Sequence, residues 1–194
     1  MKNLTKLTLI SSMSSIIFVG CGEQTETTSA VSNDTNMELA LKTTHNKILY
    51  VINKARSEVR DCHDGRGMVG PSVALTWNLE LYASAYEHSS DLATSDTFSH
   101  MGSGTSSDIT GSNIGRASKF NERIKAGGYT NYNIIGENIA GGQDRIELAL
   151  EAWLSSPAHC TNIMEAEFTE IGVAVVVNPD STYGIYWTQN FGGK

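Results

Sequence analysis

The chain has 194 residues, of which 40% are hydrophobic and 18% charged, and its formal net charge is −7. That length and apolar share suit one globular domain with a short extension, and exclude a chain disordered throughout. The excess of acid excludes a nucleic-acid binder, which needs a basic stripe, and electrostatic adhesion to anionic lipid.

Residues 1–20 read as an export signal. Lys2 and Lys6 open it, an apolar run from Leu7 to Val19 follows, and no acid precedes Glu23. The run is too short and too rich in serine to cross a membrane as a helix. Its removal would leave 12 Lys and Arg (14 less two) against 21 Asp and Glu, a charge of −9. The run ends in Phe18-Val19-Gly20-Cys21, which resembles the lipobox of bacterial lipoproteins. The resemblance implies that Cys21 is lipidated, becomes the first mature residue and holds the chain at the bacterial cell envelope. Ordinary signal cleavage is the other reading. Residues 21–44, rich in Ser, Thr, Asn, Glu and Gln, then read as a flexible tether. With Cys21 lipidated, Cys62 and Cys160 remain. Export favours a disulfide between them, closing a loop of about 98 residues worth up to ~4–5 kcal/mol on the chain-entropy account; two free thiols are the alternative.

The domain occupies residues 45–194. Ile48, Leu49, Val51, Ile52, Ala55 and Val59 recur at helical steps. A Gly-rich loop follows over 61–72. Asn78 is an N-cap for a helix to about Thr94, with Leu81, Tyr82, Ala85, Leu92 and Ala93 inward. Residues 95–117 are irregular and rich in Ser, Gly and Thr. A loop of that length in a compact domain is functional or poorly ordered. A short helix from about Ala117 to Ala126 stops at Gly127-Gly128. Tyr132 to Ile135 is a strand leading into Gly136-Glu137-Asn138. Asp144 caps a helix through Ser155, with Ile146, Ala149, Leu150 and Trp153 inward, and Pro157 forces a break or restart. Two β-rich runs, 170–178 and 183–191, flank the turn Asn178-Pro179-Asp180-Ser181 and predict a C-terminal hairpin. Helices flanking an antiparallel sheet make the fold class α+β.

Four stretches stand out together. They are Phe98-Ser99-His100-Met101-Gly102, Gly136-Glu137-Asn138-Ile139-Ala140, residues 153–164 (WLSSPAHCTNIM) and Tyr186-Trp187-Thr188-Gln189-Asn190-Phe191-Gly192. In order and spacing they resemble the CAP superfamily, also called SCP-like, which includes cysteine-rich secretory proteins, antigen-5 and pathogenesis-related proteins. The sequence is most similar to the bacterial single-domain branch. Leu75-Thr76-Trp77-Asn78 and Glu87-His88-Ser89-Ser90-Asp91 fit that family's second helix, and the likeness covers about residues 46–192. It implies a three-layer α-β-α sandwich with a mostly antiparallel sheet and a cleft lined by two histidines and two acids. Carried over by position, these are His100, His159 and Glu137, with Ser156 where the second acid belongs. That departure weakens any mechanism needing two carboxylates.

The residues also make a site without the family. His100 sits in a polar loop, Glu137 between Gly136 and Asn138, and His159 near the start of a short helix after Pro157. Imidazole and carboxylate can hold a metal, relay a proton or hydrogen-bond a ligand, or they can brace one another. Two histidines and one glutamate fit the ligand count of a catalytic zinc, so a divalent metal such as zinc on His100 and His159 is an open expectation, and no cofactor is fixed by the sequence. Cys160 as a nucleophile beside His159 fails, because helix neighbours point about 100° apart. His45, His63 and His88 read as bland, His88 as a satisfied buried or half-buried group. Trp77, Trp153 and Trp187 read as core anchors, with Trp187 able to floor the cleft. The sequence contains no His-Glu-x-x-His helix, no Gly-x-Ser-x-Gly elbow and no Gly-x-x-x-x-Gly-Lys loop. The leading expectation is an exported, lipid-anchored binding module. Its ligand would be a small molecule, lipid or sterol-like compound, peptide or glycan held by His100, Glu137, His159 and Ser156. The rivals are a metal-assisted hydrolase using His100, Glu137 and His159, and a structural surface protein.

Overall fold

A computed structural model describes residues 44–194. The expected signal, Cys21 and the tether as far as residue 43 lie outside the described residues. The first helix among the described residues, α1, is helical from Thr44 to residue 56. Ile48, Ile52 and Ala55 are buried, as their spacing predicts; Val59 falls past the helix end and is exposed. At that end Arg56 is wholly buried. Its Nε and Nη2 donate to the Val73 carbonyl at 2.9 and 2.7 Å, Nη1 to Ile163 and Glu165 at 2.5 and 3.0 Å, and Nη2 to Phe168 at 3.2 Å. A buried guanidinium is tolerable only with its donors satisfied, and these bonds tie α1 to two distant segments.

The Gly-rich loop contains a small antiparallel ribbon, β1 (Arg60–Asp61) with β2 (Met68–Val69). Thr76–Trp77 forms β3 rather than helix, pairing parallel to β5 (Glu170–Val177). Helix α2 (Leu79–Ser95) starts where expected, because the Asn78 side chain accepts from the amides of Glu80 and Leu81. The 95–117 stretch holds a short helix, α3 (Ile109–Ile114), and α4 follows at Phe120–Ala126. Strand β4 (Ile134–Gly141) runs past the expected end and takes in Glu137. Helices α5 (Ile146–Leu154) and α6 (Pro157–Met164) meet at Ser155-Ser156, with Pro157 as the first residue of α6, where its missing N–H costs nothing. The predicted hairpin is β5 with β6 (Ile185–Gly193).

The four-stranded sheet has the order β3-β5-β6-β4, antiparallel except at β3. Side chains of α1, α5 and α6 pack with Ile171, Val173, Trp187 and Phe191 on one face. On the other face, α2 packs with Ile139 and Tyr186, and with Ile124 of α4 and Tyr129. The chain is therefore an α-β-α sandwich. Gly172 allows close seating of α2, since a side chain there would overlap the Tyr82 backbone. Among the described residues no helix is long and apolar enough to cross a membrane.

Candidate functional site

The site forms round β4, one of the two edge strands of the sheet. Successive strand residues face opposite sides. Glu137 therefore points to the α2–α4 layer and Asn138 to the α5–α6 layer. Each holds a histidine.

On the first side Glu137 is buried, its side chain 1% exposed. Arg123 Nη2 donates to its Oε2 at 2.9 Å and its Oε1 at 3.2 Å. His100 Nδ1 lies 2.9 Å from Oε1. An ionised carboxylate only accepts, so Nδ1 carries a proton and Nε2 is the ring nitrogen turned away from Glu137. The His100 side chain is 49% exposed. Arg123, itself 1% exposed, also donates to the His100 carbonyl at 2.9 Å and to Ser118 Oγ at 3.0 Å. Burial pulls the Glu137 pKa upward, but the His100 hydrogen bond and the Arg123 guanidinium outweigh it and hold the carboxyl below its ordinary range. Glu137 is thus spent on holding His100, and reaches a ligand only through that ring.

The irregular loop carrying His100 is ordered by three carboxylates. Asp91 accepts from the amide and hydroxyl of Ser103 and from Ser107 Oγ. Asp108 accepts from the amides of Gly104, Gly111 and Ser118 and from Ser118 Oγ. Glu87 takes the amide and hydroxyl of Thr110. The serines and threonines that make the segment look disordered are the donors that order it.

His88 belongs to this cluster, which the sequence reading missed. It is fully buried, its Nε2–H donates to the Ser99 carbonyl at 2.9 Å, and Nε2 lies 3.8 Å from Glu137 Oε1. Nδ1 is buried without a hydrogen-bond partner among the described residues. Burial, partly opposed by Glu137, lowers its pKa to about 4. The sign follows from linkage. The unfolded imidazole binds a proton near 6.5, whereas the folded one refuses it down to about 4. Stability should fall as pH drops through that window, by about 3 kcal/mol. Urea unfolding between pH 7 and 4 should show this loss, and His88→Gln should remove most of its pH dependence above pH 4.5. A His88→Gln curve as steep as the parent's would refute the assignment.

On the other side of β4, Asn138 Nδ2 donates to the His159 carbonyl at 3.2 Å and to Gln189 Oε1 at 2.9 Å. Asn162 Nδ2 donates to Asn138 Oδ1 at 2.9 Å and to the Glu137 carbonyl at 3.2 Å. Trp153 Nε1 donates to the Ile139 carbonyl at 2.9 Å. Side chains thus cover the carbonyls of an edge strand. The Cys62–Cys160 disulfide forms, with a Cα separation of 5.4 Å, and fixes α6 next to His159. The His159 and His100 rings are neighbours, tilted by 56° with 6.4 Å between centroids. Burial, and then the neighbouring His100, lower the His159 pKa. Ser156 is the half-buried N-cap residue of α6 and makes no side-chain capping bond.

One imidazole from the loop after α2 and one from α6 therefore meet round the sheet edge, with Glu137 behind the first. Trp187 does not floor this site. It points to the opposite face from Glu137, into the α1–α5 core, where its Nε1 donates to the Gln143 carbonyl at 2.7 Å. Among the described residues no group of three or more His, Cys, Asp or Glu side chains is placed to hold a metal. His100 and His159 supply two imidazoles, and Glu137 is engaged by Arg123. Structural zinc sites take four protein ligands and catalytic ones three with a water, so an ion on His100 and His159 would have to complete its shell from solvent or a ligand.

A mostly antiparallel sheet between two helical layers, with paired imidazoles at its edge, defines an SCP-type sandwich module. The chain belongs to the cysteine-rich secretory protein family, the CAP family, whose model matches residues 49–191. It is 44% identical over 63 residues to the uncharacterized protein YkwD of Bacillus subtilis (strain 168), a match covering 32% of this chain and 23% of that one. To the uncharacterized membrane protein YlbC of the same organism it is 27% identical over 117 residues, covering 60% and 28%. The chain thus spans about a quarter of the length of these relatives. Among solved structures it is similar to an SCP-domain extracellular protein of Bacillus anthracis, with a TM-score of 0.55, 26% identity and 77% and 40% coverage. It shares the fold of an outer surface protein of Borrelia burgdorferi, with a TM-score of 0.53, 20% identity and 79% and 92% coverage.

Proposed function

We propose that this chain is an exported CAP-domain binding protein, anchored through lipid on Cys21, whose ligand is held by His100 and His159 with Ser156 at the rim. The observation that carries the reading is the His100 imidazole. It is fixed from behind by buried Glu137, half open to solvent, and neighboured by a second imidazole from α6. Two ring nitrogens from rigid elements form a pre-positioned hydrogen-bonding pair. The extracellular relative from Bacillus anthracis supports export. The test is retention: the purified chain is passed through cell-envelope extract and what it keeps is identified by mass spectrometry. A molecule held by the parent and lost from both His100→Ala and His159→Ala is expected; equal retention by all three rejects the site. Metabolic labelling with an alkynyl fatty acid should mark the parent and not Cys21→Ser, and label on the variant rejects the anchor.

The carboxylate-held imidazole also favours a second reading, in which His100 is the general base of a hydrolase. New amino termini or reducing ends released from envelope material by the parent, and not by His100→Ala, would select it over binding alone.

A further inference from the structure

The geometry points to a second half of this site: Phe98 and Tyr183 form an exposed aromatic shelf which, with His100 and His159, holds a neutral glycan chain along the edge of β4. The inference rests on the imidazole site just described and adds the class of ligand.

Placement comes from the strand. Glu137, Ile139 and Gly141 alternate onto the same face of β4. His100 stands on Glu137. At Gly141 the missing side chain lets the Tyr183 ring lie against the strand, since a Cβ there would come within 2.8 Å of it. Phe98 packs on Tyr183 at 4.9 Å between centroids, tilted by 42°. Only Ser99 separates Phe98 from His100. The row therefore runs His159, His100, Phe98, Tyr183. Glu137 and Gly141 are four residues apart, about 13 Å at roughly 3.3 Å per residue, the span of a few sugar rings. Phe98 and Tyr183 are 43% and 44% exposed.

The chemistry then selects the occupant. A sugar ring has a polar rim for imidazoles and a C–H face for aromatic rings, and both are offered here in sequence. An acyl chain needs an enclosed apolar groove, whereas these rings are open to water. An anionic headgroup needs a cation, but Arg123 is buried on Glu137 and the chain carries −7. A peptide adding as a strand needs free edge acceptors, but the Glu137 and Ile139 carbonyls already accept from Asn162 and Trp153.

The test applies the labelled full chain to an array of neutral oligosaccharides of three or more rings, with acyl-chain and peptide arrays beside it. Binding to one or more glycans is expected. For the best of them, Phe98→Leu and Tyr183→Leu, which keep apolar bulk without a ring, should each weaken binding about tenfold. His100→Ala should weaken it as well. No glycan binding, or glycan binding unchanged in both leucine variants, overturns the shelf. If only His100→Ala weakens binding, the imidazole site stands and the shelf falls. If only the leucine variants do, the shelf stands and the imidazole reading falls. Capture by the acyl or peptide array alone overturns the glycan assignment.

Discussion

Replacing Arg123 by methionine is expected to destabilise the protein by about 3–5 kcal/mol in urea unfolding at pH 7, the cost of removing one partner from a buried ion pair. Both side chains are 1% exposed. Methionine keeps much of the volume, so the loss reports charge and hydrogen bonds more than a cavity. Glu137 would be left buried with His100 and the Asn190 amide as donors but no permanent cation beside it. Its pKa would rise, because burial would then outweigh what remains. The sign of the pH effect follows. In the parent, the lowered Glu137 pKa contributes stability that is present above the unfolded value near 4.3 and lost as pH falls through the folded value. In Arg123→Met that contribution vanishes or reverses, and its pH dependence moves upward. The double variant Arg123→Met/Glu137→Gln should cost less than the two single changes added together, since no charge is left unpaired. A loss under 1 kcal/mol for Arg123→Met, or strict additivity in the cycle, would contradict the picture of Arg123 as the foundation of the site.

Opening the Cys62–Cys160 bridge is expected to produce the other large effect. The closed loop spans 98 positions. Removing such a link should cost up to ~4–5 kcal/mol on the chain-entropy account. Cys62→Ala/Cys160→Ala should lower the urea midpoint, and reductant should lower the parent's but not the variant's. The site should loosen too. His159 is adjacent to Cys160, and once the bridge is open the polar ties left between α6 and the 60–70 segment are Thr161 Oγ1 donating to Asp64 Oδ2 at 2.5 Å and Arg66 paired with Glu165 at the helix end, 3.5 Å apart. A nuclear Overhauser contact between the His100 and His159 rings should be present in the oxidised chain and weaken on reduction. An unchanged midpoint and an unchanged contact would show the bridge to be incidental.

The sandwich was readable in the sequence where local rules decide. Asn78 caps α2, Ile146, Ala149, Leu150 and Trp153 make one helical stripe, and the Asn178 turn joins two apolar runs. The site was half readable. His100, Glu137 and His159 stand out because each sits in one of the stretches whose order and spacing resemble the CAP family, Glu137 also lying between Gly136 and Asn138 and His159 two residues after Pro157. Arg123 and His88 did not stand out, since a charged residue on a short helix is ordinarily solvated and a lone helical histidine is ordinarily bland. The signal available for Arg123 was Ile124 beside it on a helix of seven residues, too short to show which face is inward. Strand β4 was cut short because Gly136 reads as a loop residue. Its neighbour Phe168 explains the glycine: a Cβ at 136 would come within 2.8 Å of that ring. The order of residues 95–117 depends on Asp91 and Glu87 from α2, contacts no local pattern encodes.

Arg56 has a mechanical consequence. If the N-terminal end of this chain is fastened to a surface, any pull on the protein enters the fold through α1. The early turns of that helix are held by Ile48 and Ile52, by His45 stacked on Trp77 and by Lys47 paired with Glu147, and can peel before the load reaches Asn53, which exchanges two hydrogen bonds with Leu75, and Arg56 beyond it. At Arg56 the peeling meets a side chain bonded to Val73, Ile163, Glu165 and Phe168 together, so the load passes to two distant segments at once. The helix start can then act as a yielding element, while the sheet edge carrying the histidines stays unstrained behind that clamp.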